Sequence, residues 1–300
     1  MKFISLAILL LFLSCNKIDK DLPQPITGKI IRFGNFKSSY VKSRNIDVWI
    51  PENYSKDKRY AVIYMHDGQM LFDSTLTWNK QEWKVDESVT DLIKKDSIKE
   101  CIIVGIWNDE ENRFRDYLPQ KPIETIDSVQ LKSLFNIPTM FTFNADNYLQ
   151  FITKELKPFI DKNFSTFPDL NNTYIMGSSM GGLISIYAIC EYPNIFGGAA
   201  CLSTHWTGIV NYNTVIPNAF YNYITHNLPS PSTHKIYFDY GTKTLDGLYK
   251  PYQLSVDSIM LKKGFSSSNW ITIEFKGDDH SERSWARRLK TPLRFLLSKQ

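Results

Sequence analysis

The chain has 300 residues, 43% hydrophobic and 14% aromatic, with 35 basic and 31 acidic side chains and a formal net charge of +4. That is enough apolar material for one full core with insertions, and too much for extended disorder. The near balance of charge gives no electrostatic reason to expect a nucleic-acid partner.

The first residues, MKFISLAILLLFLSCNK, carry one lysine and an apolar run too short to span a bilayer as a mature helix. The run ends in FLSC, the pattern of a bacterial lipobox, so residues 1–15 are expected to be a lipoprotein signal segment, cleaved before a lipidated Cys15. The protein is then exported to the cell envelope and meets the membrane only through its lipid anchor. Residues 16–27 are polar and proline-bearing, as in a tether, and residues 28–300 make up the folded domain.

Short β-branched and aromatic runs then alternate with longer amphipathic ones. Strands are expected in GKIIRFGNF, RNIDVWIP, YAVIYMHD, ECIIVGIW, NTYIMGS, FGGAACLS, KIYFDYG and WITIEFKG. Helices are expected to begin near Trp83, Asp146, Met180, Val215, Pro251 and Glu282. From the third run onward the strands are separated by helix-length segments and several are apolar on both faces. This describes a mostly parallel α/β sheet covered on both sides, preceded by an antiparallel start. Residues 108–143 form a long irregular insertion, of a length that is usually functional or disordered. Cys101, Cys190 and Cys201 sit in apolar elements without metal-ligand spacing and are expected to be small buried side chains.

One junction carries chemistry. Gly177-Ser178-Ser179-Met180-Gly181 lies where a strand passes into a helix and fits G-x-S-x-G, the strained turn that lifts a serine hydroxyl free of a sheet. The residues two before and two after such a serine pass too close to neighbouring backbone to carry side chains. Gly177 and Gly181 meet this demand around Ser179; the flanks of Ser178 are methionines. The serine needs a base. His66 precedes the serine, His226 and His234 fall at a helix end and a strand start, and His205 follows a strand end where it can line the pocket. His280, between the last strand and the last helix, stands where a base is required. The acid should follow KIYFDYG, where Asp239 and Asp246 compete. Strand alternation leaves Asp239 within the run and Asp246 in the loop beyond, which favours Asp246. An oxyanion hole needs two backbone donors, expected from Met180 and from Gly68 or Gln69. Aromatic residues near strand ends suggest a pocket wall, with Trp206 foremost and Trp78, Trp107 and Trp285 behind it.

Together, YMHDGQMLFD, TWNKQEWKVDE, IIVGIWNDEENRFRDYLP, YIMGSSMGG and HSERSWARRL resemble the esterase family that includes esterase D, with feruloyl, acetyl-xylan and siderophore trilactone esterases and mycolyl transferases among its relatives. The resemblance covers residues 28–298. It implies an α/β-hydrolase fold of about eight strands, no cofactor or metal, and ester cleavage through an acyl-serine on a small-molecule or glycan ester. By it, Ser179 is the nucleophile and His280 the base, and Met180 with the Gly68–Gln69 region supplies the oxyanion donors. Some relatives place an acid where this chain has Thr244. The siderophore branch holds an anionic substrate with basic residues, a part open to Arg113 and Arg115, which could instead pair with Asp116. An acyltransferase on the same site, a siderophore trilactone esterase and a non-catalytic binding lipoprotein are the alternatives; oligomeric state is left open.

Overall fold

The computed structural model describes residues 21–135 and 142–299. The expected signal segment with Cys15, and the first part of the tether, lie outside the described residues. The end of the tether is already tied to the domain. The Thr27 amide donates to Asp86 at 3.0 Å, and its carbonyl accepts from the Trp49 indole at 2.7 Å.

All the expected strands form: β1 (Lys29–Phe36), β2 (Arg44–Ile50), β3 (Ala61–His66), β4 (Cys101–Ile106), β5 (Thr173–Ser178), β6 (Gly198–Leu202), β7 (Lys235–Gly241) and β8 (Trp270–Phe275). They make one sheet in the order β1-β2-β4-β3-β5-β6-β7-β8. β1, β2 and β4 pair antiparallel, and every pairing from β4 through β8 is parallel. The continuous apolar runs are explained by burial on both faces. In β4, Ile102, Val104 and Ile106 enter one core while Cys101 and Ile103 enter the other. Each such buried branched side chain contributes roughly 1.5–3 kcal/mol. Cys101, Cys190 and Cys201 are buried and unpaired, and burial pushes their thiols up.

The helices are α1 (Val85–Lys94), α2 (Arg113–Tyr117), α3 (Gln120–Glu124), α4 (Ser128–Phe135), α5 (Ala145–Gln150), α6 (Lys157–Asn163), α7 (Met180–Glu191), α8 (Val215–Asn227), α9 (Lys250–Lys262), α10 (Glu282–Arg288) and α11 (Lys290–Leu297). α7 and α8 pack into one core and α1 and α11 into the other. A π-turn over Phe151–Leu156 joins α5 to α6. The expected irregular insertion contains three short helices, α2 to α4. Among the described residues, no helix is long and apolar enough to cross a membrane.

The parallel part of the sheet decides where chemistry can occur. Ligands bind beyond the carboxyl ends of such strands, and the ends of β3, β5, β7 and β8 carry the turns described next.

Candidate active site

Ser179 sits between β5 and α7 with φ 56° and ψ −121°, a conformation a side-chain-bearing residue holds only under constraint. The constraint comes from both sides. Its amide donates to the Leu202 carbonyl at 2.9 Å, and its carbonyl accepts from Leu183 at 3.1 Å and His205 at 3.2 Å. A Cβ on Gly177 would lie 2.9 Å from the Gly181 backbone and from the His66 ring, so glycine is required there. α7 begins at Met180, whose N–H therefore has no intrahelical acceptor and adds to the positive end of the helix beside Ser179. Ser178, the last residue of β5, lines the same cavity but lacks this geometry.

His280 and Asp246 are brought together. His280 Nδ1 lies 2.6 Å from Asp246 Oδ1. The other carboxylate oxygen accepts from the Gly241 amide and from the Ser203 hydroxyl, both at 2.6 Å. Burial pushes the Asp246 carboxyl up, but its bonds to His280, Ser203 and Gly241 outweigh this and hold it below the ordinary carboxylate range. Ser203 is itself fixed by the Trp285 indole at 2.9 Å and Arg288 at 2.7 Å. Trp285 also packs edge-on against the His280 ring. The loops bearing Asp246 and His280 are joined: the Thr242 and Lys243 amides both donate to the Asp278 carbonyl at 2.9 Å. Thr244 accepts from the His280 amide at 2.9 Å and tethers that residue. Asp239 lies within β7 and pairs with Arg288 at 2.9 Å; burial pushes its carboxyl up to about 6.

The turn after β3 faces the elbow. A Cβ on Gly68 would stand 2.6 Å from the Gly105 backbone, so only glycine lets Gln69 come this close to β4. Gln69, Ser179, His280, Trp78, Trp83 and Trp285 line a cavity of about 850 Å³. Trp78 is 83% exposed at its rim. Asn79 bonds Glu282 at 2.8 Å and Gln81 accepts from the Arg283 amide at 3.3 Å, which fastens this rim to α10.

Several sequence expectations are corrected. Trp206 is not a pocket wall: it is buried against Phe238 with its indole on Gln253 at 2.9 Å. Trp107 bonds Asp47 away from the site. His205 does not line the cavity; it is buried, bonded to the Tyr249 hydroxyl at 2.7 Å, and pushed down to about 4 by burial and then by the charges of His280 and Arg113. Arg113 does line the cavity, but it grips Asp67 through two bonds of 2.7 and 2.8 Å, while Asp116 pairs with Arg44. His66 lies under the elbow, bonded to Tyr148 and pushed down to about 3 by burial. No local pattern marks Asp67, Ser203, Arg288 or Tyr249, whose partners are distant in the chain.

A serine on a strained strand–helix turn, with a histidine–aspartate pair on the loops after β8 and β7 of this sheet, defines an α/β-hydrolase. The family model described as "Putative esterase" matches residues 38–291, and the chain belongs to that esterase family. It is 26% identical over 175 residues to the uncharacterized protein YbbA of Bacillus subtilis, covering 58% of this chain and 62% of that one. It is 26% identical over 198 residues to an endo-1,4-beta-xylanase/feruloyl esterase of Xylanibacter ruminicola, covering 63% of this chain and 22% of the other. The chain thus spans about three fifths of the Bacillus relatives it matches. The enterobactin esterase FES of Shigella flexneri superposes with a TM-score of 0.66 at 17% identity, over 92% of this chain and 61% of that one.

Proposed function

We propose that the protein hydrolyses carboxylic esters through an acyl-enzyme on Ser179. The observation that carries this reading is the 2.6 Å bond from buried Asp246 to His280, which lines the same cavity as Ser179. In this mechanism Nε2 of His280 takes the Ser179 proton as Oγ attacks the ester carbonyl. Asp246 holds the imidazole in the tautomer with hydrogen on Nδ1 and stabilises the imidazolium. The backbone N–H groups of Met180 and Gln69 receive the oxyanion, with Gly68 allowing the close approach. The imidazolium then protonates the leaving alcohol, and water repeats the sequence on the acyl-enzyme.

The alcohol is proposed to be neutral and carbohydrate-like. Trp78 offers an exposed ring face beside Asn79, Gln81, Glu110 and Glu282, a mixture of stacking surface and hydrogen-bonding groups that suits a sugar. Arg113 is already neutralised by Asp67, which argues against an anionic trilactone. The similarity to a feruloyl esterase supports the same reading.

Labelling with a fluorophosphonate, followed by peptide mapping, tests the nucleophile. Ser179→Ala should abolish labelling and aryl-ester hydrolysis, and Ser178→Ala should retain most of both. The reverse ranking would overturn the elbow assignment. A panel of acetylated and feruloylated oligosaccharides beside a siderophore trilactone tests the substrate; preference for the trilactone would overturn the neutral-alcohol reading.

A further inference from the structure

A second hydroxyl–imidazole pair touches the serine without lining the cavity. Tyr249 is 1% exposed, and its amide donates to the carbonyl of Asp246 at 3.0 Å. Its ring packs edge-on to His280 at 5.8 Å between centroids. Its hydroxyl lies 2.7 Å from His205 Nδ1, on the side of the ring close to the Ser179 side chain. His205 in turn donates its amide to the Ser179 carbonyl at 3.2 Å. His205 therefore holds Ser179 by its backbone while placing the Tyr249 hydroxyl near the serine side chain. Burial keeps the phenol protonated and the His205 imidazole neutral.

We propose that Tyr249 is a further catalytic residue, positioned by His205, whose hydroxyl donates a hydrogen bond to Ser179 Oγ in the acyl-enzyme and promotes deacylation. The inference rests on Ser179 being the acylated nucleophile. Once acylated, Oγ is an ester oxygen without a proton, so Tyr249 must be the donor in that bond. With its one hydrogen used, Tyr249 must accept from His205 Nδ1–H. The neutral His205 then has a bare Nε2, which faces the Thr207 hydroxyl at 3.5 Å, a group able to donate.

Deacylation proceeds as water attacks the acyl carbon and gives its proton to His280 Nε2. The tetrahedral intermediate collapses, the C–Oγ bond breaks, and its electron pair stays on Oγ. His280 returns the proton to Oγ while Tyr249 keeps its own. The tyrosine bond stabilises charge developing on the departing oxygen. In acylation Oγ attacks, and a donor on its lone pair brings no comparable gain. Removing the hydroxyl should therefore slow the second half-reaction selectively.

Tyr249→Phe keeps the ring against His280 and removes only the hydroxyl. In stopped-flow hydrolysis of p-nitrophenyl acetate, its first-turnover burst should stay within about threefold of wild type. Steady-state turnover should fall about 10- to 100-fold, the range that a hydrogen bond to a charged group supports. Intact mass should show acetyl-enzyme accumulating. His205→Gln, whose amide can still donate to the phenol, should retain more turnover than His205→Phe. Unchanged turnover in Tyr249→Phe, or equal slowing of both phases, would overturn the proposal and leave the Ser179 assignment standing. Failure of wild-type Ser179 to take up fluorophosphonate would remove both.

Discussion

Asp246→Asn tests the pairing of acid and base, and the structure dictates which way the new amide must turn. Oδ2 faces donors only: the Gly241 N–H at 2.6 Å and the Ser203 hydroxyl at 2.6 Å. Ser203 cannot reverse its hydrogen, because its oxygen already accepts from Trp285 at 2.9 Å and Arg288 at 2.7 Å. An NH2 group placed there would meet Gly241 donor to donor, so the asparagine oxygen takes that side and its nitrogen faces His280. The amide then donates to Nδ1, which forces the imidazole hydrogen onto Nε2. That nitrogen can no longer accept the Ser179 proton. The comparable change in a serine protease costs about 10⁴ in rate, or about 5 kcal/mol of transition-state stabilisation. Turnover of p-nitrophenyl acetate should fall by about 10³ to 10⁴ with KM little changed and the fold intact by melting curve. Asp239→Asn should act differently, weakening the buried pair with Arg288 and so lowering the melting temperature more than kcat. A variant Asp246→Asn within tenfold of wild type, or one faster than Asp239→Asn, would refute the tautomer argument.

Gly68→Ala drives a Cβ to within 2.6 Å of the Gly105 backbone; we expect about 1–3 kcal/mol of destabilisation and a larger loss of kcat as Gln69 shifts, measured by urea unfolding and ester turnover. Normal activity in that variant would exclude the turn after β3 from the oxyanion hole. Asp86, bonded to the Thr27 amide at 3.0 Å, is pushed up to about 7, chiefly by burial. Its folded form thus holds a proton more tightly than the unfolded chain, so its stabilisation is complete below the unfolded pKa and lost as pH rises through about 7. Asp86→Asn should gain melting temperature relative to wild type between pH 5 and pH 8, and parallel profiles would contradict this. The signal segment expected over residues 1–15 implies that Cys15→Ala leaves the membrane fraction with its specific activity unchanged; membrane retention in fractionated cells would count against lipidation at Cys15.

The strands and the glycine-flanked turn after β5 were legible because they obey local rules. β3 to β6 are apolar on both faces, and Ser179 is flanked by glycines at the two positions that the turn requires. The place of Asp246 beyond β7, where it meets His280, was legible because side-chain alternation separates a residue inside the strand from one past its end. What escaped was long-range pairing. Nothing near Arg113 in the chain announces that Asp67, 46 residues earlier, will neutralise it. Trp206 resembled a pocket residue by its place after β6, yet the chain turns it inward onto Phe238. His205 follows the same strand end, yet it is buried on a hydrogen-bonded partner, Tyr249, that lies 44 positions away. The sequence shows where the chain leaves the sheet; three-dimensional packing decides which side chains return to the cavity.

His280 follows β8, the outermost strand of the sheet, which pairs only with β7 and is half-buried along most of its length. An edge of this kind opens at lower free energy than the centre. Ser179, by contrast, is mounted on β5, in the middle of the sheet. Fraying of the last strand would carry His280 away from a Ser179 that stays in place, so heat inactivation should set in below the calorimetric transition. The Asp278 carbonyl that receives both Thr242 and Lys243 is the tie between that fraying end and the loop after β7. Asp246 would stay behind on Gly241 and Ser203, so His280 comes back to a waiting partner, which makes a brief thermal excursion recoverable as long as the inner strands hold.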